Sequence, residues 1–414
     1  MCARRGERWI IMRAERIVPN PSTSPGAAAR PANSAAAEHA DGAVNTNARG
    51  KIGELESVRG VAALLIVFYH MPVWHGALYG LKFVRNSYLM VDLFFVLSGF
   101  VINLNYGERL TSAKSLGRFQ LLRLGRLYPV HLIFLLLFLL LETGKWVAAT
   151  KYNVTAPNGR PFEKNSLHAF VEQLFLVQAL GLSSDAETFN TPSWSISVEF
   201  YTYLLFGVMC LTLGKMFRQV AFGILAVASI CVLVLVADFG GNFSPILRCL
   251  TGFFVGCLTA TLSNRVTRTF SALPALTTLA ALIAFLCLKV QVRSDWIIYF
   301  LSATLILTIV HAREGWFRAI LRSRPLAYLG LISYSLYMSH AFVLFCCNQF
   351  IRVILKRPEA MTAGTSFPQL TGGEACASYF VALGVTIALS SIVFRLVEDP
   401  CRRKSRAILL SRSE

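Results

Sequence analysis

What most constrains this chain is a succession of apolar runs, each about 17 to 25 residues long, spread between residues 58 and 397. LYPVHLIFLLLFLLLETG at 127–144 is one of them. At about 1.5 Å of rise per residue such a run crosses the ~30 Å hydrocarbon core as a helix. Lipid offers no hydrogen bonds, so a helix is the local way to satisfy every backbone amide of a lone apolar segment. The runs fall near 58–79, 87–107, 127–147, 193–213, 220–238, 244–262, 272–291, 296–312, 326–350 and 377–397. The expected fold class is all-α, a polytopic membrane helix bundle of about ten transmembrane helices.

Composition supports this. A soluble chain of 414 residues would make two or three domains. Here 55% of residues are hydrophobic, 15% are charged and the mean hydropathy is +0.55, which leaves too little polar surface to cover several soluble cores. The net charge of +18 would suggest nucleic acid in a soluble protein. In this chain the Lys and Arg residues sit between the apolar runs, as topology signals do, and no basic-aromatic surface lies outside them, so nucleic-acid binding is excluded. The cysteines form no CxxC pair, so neither a metal site nor a disulfide framework is expected.

Residues 1–50 are rich in Ala, Pro, Ser and Asn and read as a disordered cytoplasmic tail without the apolar core of a signal peptide. Basic residues concentrate in alternate loops, among them Arg313, Arg318, Arg322 and Arg324, which predicts that both termini are cytoplasmic. The long connection at 148–192 then lies outside, and its AFVEQLFLVQALGL segment reads as a lid or re-entrant cover.

An ionisable group inside a bilayer costs ~2.5 to 3.5 kcal/mol on insertion scales, so each is a functional candidate. Four stand out: His70, Asp92, Glu199 and His340. In ELESVRGVAALLIVFYH, eleven positions separate Arg59 from His70, which places both on one helix face ~16 Å apart, with Arg59 at the cytoplasmic edge and His70 near mid-membrane. Glu199 lies in PSWSISVEFYTYLLF, a few residues below the outer surface, followed by Tyr203 one turn on. The helix ISYSLYMSHAFVLF gives His340 a polar side shared with Ser333 and Tyr337. Arg123 and Arg126, at i,i+3 before the third run, offer two neighbouring guanidinium groups suited to a phosphate.

Taken in order, these segments resemble the acyltransferase-3 family of integral-membrane acyltransferases, bacterial enzymes that mostly O-acetylate sugars of surface polysaccharides, with relatives acting on lipids and macrolides. The family's basic residue followed eleven positions later by His is matched by Arg59 and His70. Its Asp-Leu-Phe-Phe-x-Leu-Ser-Gly-Phe segment is matched by Asp92 to Phe100, and its RxxR by Arg123 and Arg126. Its Trp-Ser-x-Ser-x-Glu box is matched by Trp194, Ser195, Ser197 and Glu199, its Ser-Tyr-x-x-Tyr-x-x-His helix by Ser333, Tyr334, Tyr337 and His340, and its Glu-x-Pro by Glu398 and Pro400. Phe200 departs from the family by replacing a usual second acidic residue, and no extracytoplasmic hydrolase-like domain is expected after the last helix.

The resemblance implies an acyltransferase domain over 51–404, a short cytoplasmic tail at 405–414, and a place in the bacterial inner membrane. It implies acyl-CoA, with acetyl-CoA foremost, as co-substrate in place of a cofactor, and a glycan, lipopolysaccharide, exopolysaccharide or lipid-linked sugar as acceptor. Arg59, Arg123 and Arg126 would bind acyl-CoA. His70 would act as general base or as nucleophile, with Glu199 and Asp92 beside it, and Tyr203, Ser333, Tyr337 and His340 would line the acceptor path. The rival reading is a secondary transporter or flippase, whose sign would be broken helices at corresponding places in two halves. The sequence shows none.

Overall fold

A computed structural model describes residues 53–153, 159–181, 185–235, 244–362 and 364–411. The 1–50 tail lies outside the described residues. The described residues are mainly helical, with loops between the helices, a small hairpin that pairs Glu359–Thr362 with Thr365–Pro368 in antiparallel register and an isolated bridge between Phe270 and Ala312.

Among the described residues, seven helices are long and apolar enough to cross a membrane, and an eighth span is counted when the bent pair Arg324–Leu331 and Ser333–Val353 is taken as one. Two expected spans are shorter than predicted. The helix at Leu273–Leu288 has 16 residues. The first helix covers 53–70 in place of 58–79, because Pro72 disfavours helical backbone at Met71 and removes an amide donor of its own. The chain then turns through two short helices, Gly76–Tyr79 and Lys82–Arg85. The third expected span, 127–147, is the distal part of one helix from Ala113 to Tyr152. Ser112 and Ser115 form a capping box that starts this helix early, so Arg123 and Arg126 ride within it.

The expected lid segment is a nine-residue helix, Leu167–Phe175, docked on the bundle. Tyr128 donates to Leu174 O at 3.0 Å, His131 Nε2 lies 2.9 Å from Gln173 O, and Ser197 donates to Leu176 O. Leu167 and Phe175 face outward.

Burial orders the bundle. Two-thirds (67%) of the apolar window of span Lys82–Tyr106 is buried, against 28% for Ala113–Tyr152 and for Lys215–Leu235, so the first is central and the others present leucines and phenylalanines to lipid. The tightest contact joins Met90–Tyr106 to Ser244–Ser263. A Cβ on Gly99 would stand 1.8 Å from Phe253 O, and one on Gly256 would stand 2.1 Å from Val96 O, so the backbones touch where only hydrogen fits. A second crossing joins helix 53–70 to Arg324–Leu331, where a Cβ on Gly60 would meet Gly330 N at 2.5 Å. It brings Arg59 alongside the bend at Ile332, where the span turns by 70° and Ser333 begins the next helix. Among the described residues this is the one bent pair, with no counterpart in the other half.

Gly99→Val is expected to abolish the central crossing, and detergent-extracted protein should run as aggregate in size-exclusion chromatography. Gly144→Ala, where nothing lies within 4 Å, should remain monodisperse.

Candidate active site

Seven of the expected site residues converge on one narrow cavity. Arg59 comes from helix 53–70, Arg123 and Arg126 from Ala113–Tyr152, Glu199 and Tyr203 from Trp194–Thr212, and Ser333 and Tyr337 from the helix that starts at the bend. Ser98, Ser195 and Tyr334 complete its polar wall. Tyr203 Oη donates to Glu199 Oε1 at 2.6 Å and meets Ser98 Oγ at 2.7 Å. Arg123 Nη2 reaches Tyr106 Oη at 3.2 Å, with its guanidinium over the rings of Tyr106, Phe119 and Tyr203. Among the described residues, Nε of Arg123 and of Arg126 is buried with no hydrogen-bond partner. A buried guanidinium with unspent donors is costly unless an anion completes it.

Glu199, which the sequence places a few residues below the outer surface, shares the cavity with Arg59, Arg123 and Arg126. Rise along one helix does not report how far a cavity reaches between helices.

His70 and His340 form a separate pair. His70 is the last residue of its helix and is half-buried, whereas His340 is fully buried. Their rings lie 4.9 Å apart, with His340 Nε2 3.2 Å from His70 Nδ1. His70 Nδ1 also lies 3.0 Å from Ile66 O. A carbonyl only accepts, so the hydrogen is assigned to Nδ1 of His70, and in the neutral ring its lone pair sits on Nε2. The pair adjoins the cavity through Tyr337, whose ring is 5.8 Å from that of His340. Tyr337 itself donates to Pro192 O and accepts from Ser195 Oγ, each at 2.9 Å.

Asp92 is not among the cavity lining. Its carboxylate is bound by Arg248 through Nε at 3.1 Å and Nη2 at 2.7 Å, and by Tyr299 Oη at 2.9 Å. Arg248 and Tyr299 escaped the sequence reading. The signal for Arg248 was present, an arginine within the apolar run SPILRCLTGFF. Tyr299 had none. Glu398, noted only by resemblance, is buried and accepts from Ser335 Oγ at 2.6 Å.

The class that fold and site define is a polytopic membrane protein whose helices close around a basic cavity and a histidine pair. Comparison with known proteins makes it specific: the model described as an acyltransferase domain matches residues 52–395, and the chain belongs to the acyltransferase-3 family. Its relatives include a Rhizobium radiobacter protein named "Protein 2 in picA locus", 43% identical over 84 residues, or 20% of this chain and 41% of that one. A Staphylococcus aureus protein named "Putative O-acetyltransferase" is 21% identical over 402 residues, covering 87% of this chain and 58% of that one. "Acyltransferase MdmB" of Streptomyces mycarofaciens is 32% identical over 119 residues, or 28% of this chain and 27% of that one. The chain thus spans about half the length, or less, of the curated relatives it matches. No solved structure matches it.

Proposed function

We propose that this protein is a membrane O-acyltransferase that moves an acyl group, acetyl foremost, from cytosolic acyl-CoA to a hydroxyl of a surface glycan or lipid-linked sugar. The observation that carries this reading is the convergence of Arg59, Arg123 and Arg126 on one cavity, with guanidinium nitrogens left unpaired, one aromatic contact away from the His70–His340 pair. The family membership and the relatives' names point the same way.

The three arginines bind the donor's phosphates, and the pantetheine arm carries the thioester toward His70. As general base, His70 Nε2 takes the acceptor's hydroxyl proton while the oxygen attacks the thioester carbonyl. The carbon–sulfur bond breaks, an ester bond forms, and the proton passes to the departing thiolate to give free CoA. His340, at His70 Nδ1, holds the ring in the orientation that presents Nε2. Glu199 fixes Tyr203 in the cavity wall, and Asp92 positions the central helices through Arg248. The protein lies in the bacterial inner membrane with both termini cytoplasmic, which puts the arginines on the donor side.

Mass spectrometry of surface glycans from a deletion strain and its parent tests the reading. Loss of one O-acyl mass increment on deletion is the expected result, and an unchanged glycan profile with no transfer by purified protein contradicts it. Arg126→Lys keeps the charge but removes the planar fork, so acetyl-CoA affinity measured by calorimetry should fall about tenfold while insertion is unchanged.

A further inference from the structure

A second cavity, of about 420 Å³, opens at the His70 end of helix 53–70. Its volume falls within the ~300 to 1,000 Å³ of small-molecule sites. It begins where that helix ends. Tyr69 and Met71, the chain neighbours of His70, both line it, and the Tyr69 ring meets that of His70 edge-on at 4.8 Å. The histidine pair therefore stands between two cavities, the arginine-lined one beyond Tyr337 and this one beyond Tyr69.

The wall chemistry differs from that of the first cavity. Four tyrosines, at 69, 79, 88 and 379, contribute to it, and Tyr69 and Tyr88 sit 5.7 Å apart. Tyr379 is backed by Trp74, stacked at 5.2 Å, which holds its ring in place. A pyranose presents an apolar face of C–H bonds to an aromatic ring and its hydroxyls to phenol oxygens, so an amphipathic tyrosine wall suits it. Two cations line the cavity. Lys289 is neutralised, since it pairs with Asp295 at 2.5 Å and donates to Tyr88 Oη at 2.6 Å. Arg85 is exposed, its Cζ lies 4.0 Å from the Tyr79 ring centroid, and it has no ion-pair partner among the described residues. A guanidinium in cation–π contact and without an ion-pair partner has N–H donors to offer a carboxylate or phosphate.

We propose that this cavity is the acceptor site and that its ligand is an anionic sugar, in which the ring lies against the tyrosines and a carboxylate or phosphate is held by Arg85. This deepens the acyltransferase reading and rests on it. It also moves the acceptor away from Tyr203, Ser333 and Tyr337, which share a cavity with the arginines.

Calorimetry on full-length protein in detergent, with trigalacturonate, glucose 6-phosphate and maltotriose as probes, tests it. At least one anionic sugar should bind tenfold or more tightly than neutral maltotriose, and which one binds separates a carboxylate from a phosphate. Arg85→Gln, a change at an exposed side chain, should remove that preference while acetyl-CoA binding is kept. Tyr379→Ala should weaken all sugar binding. Equal affinity for maltotriose, no effect of Arg85→Gln, or no binding by any probe overturns the proposal. Acetyl-CoA binding without sugar binding would leave the transferase reading standing and remove this site. Sugar binding through Arg85 without acetyl-CoA binding would do the reverse.

Discussion

Replacing His70 by alanine is expected to lower acyl transfer by a factor of ~10² to 10⁴, the usual loss for a general base, while acetyl-CoA still binds. His70 ends its helix and is half-buried, and among the described residues its ring nitrogens meet the Ile66 carbonyl and His340, so truncation removes little packing. Arg59, Arg123 and Arg126 line a cavity that His70 is not part of, so the proposed partners of the donor's phosphates are unchanged. Single-turnover transfer from radiolabelled acetyl-CoA, paired with a binding isotherm on the same preparation, separates the two steps. A His70→Ala protein that inserts normally and transfers at the wild-type rate would make the histidine a packing residue. His340→Ala should cost less, since it acts on the ring orientation of His70.

Asp92 should behave in the opposite way. Asp92→Ala strands Arg248, whose side chain is 13% exposed, inside the bundle without its counter-ion. Removing one partner of a buried pair costs ~3 to 5 kcal/mol, because the surviving charge has neither water nor a partner. The melting temperature of purified protein should drop sharply, with activity lost in proportion to folded protein. Asp92→Ala combined with Arg248→Leu should regain stability, since no orphan charge remains. If Asp92→Ala leaves the melting temperature unchanged and abolishes turnover, Asp92 is a catalytic group.

Several elements were legible in the sequence because they are local. The apolar runs set the helical bundle, and the spacing of Arg59 from His70 and of Arg123 from Arg126 follows from helix rise and turn alone. The end of the first helix at residue 70 was also readable, since Pro72 restricts Met71, but the continued apolar run past it masked the signal.

By itself, then, the sequence determined the membrane-helix architecture, the face of helix 53–70 that carries Arg59 and His70, and the set of residues from which a site could be made. Which of them meet was left to tertiary structure. Asp92 finds Arg248 and Tyr299 across 156 and 207 residues, and His70 finds His340 across 270. Those meetings depend on where two glycine crossings let backbones touch, at Gly99 with Gly256 and at Gly60 with Gly330. A helix specifies its own periodicity through hydrogen bonds four residues apart, but the choice of neighbour is made by surface fit between segments far apart in the chain, and a single helix carries no record of it.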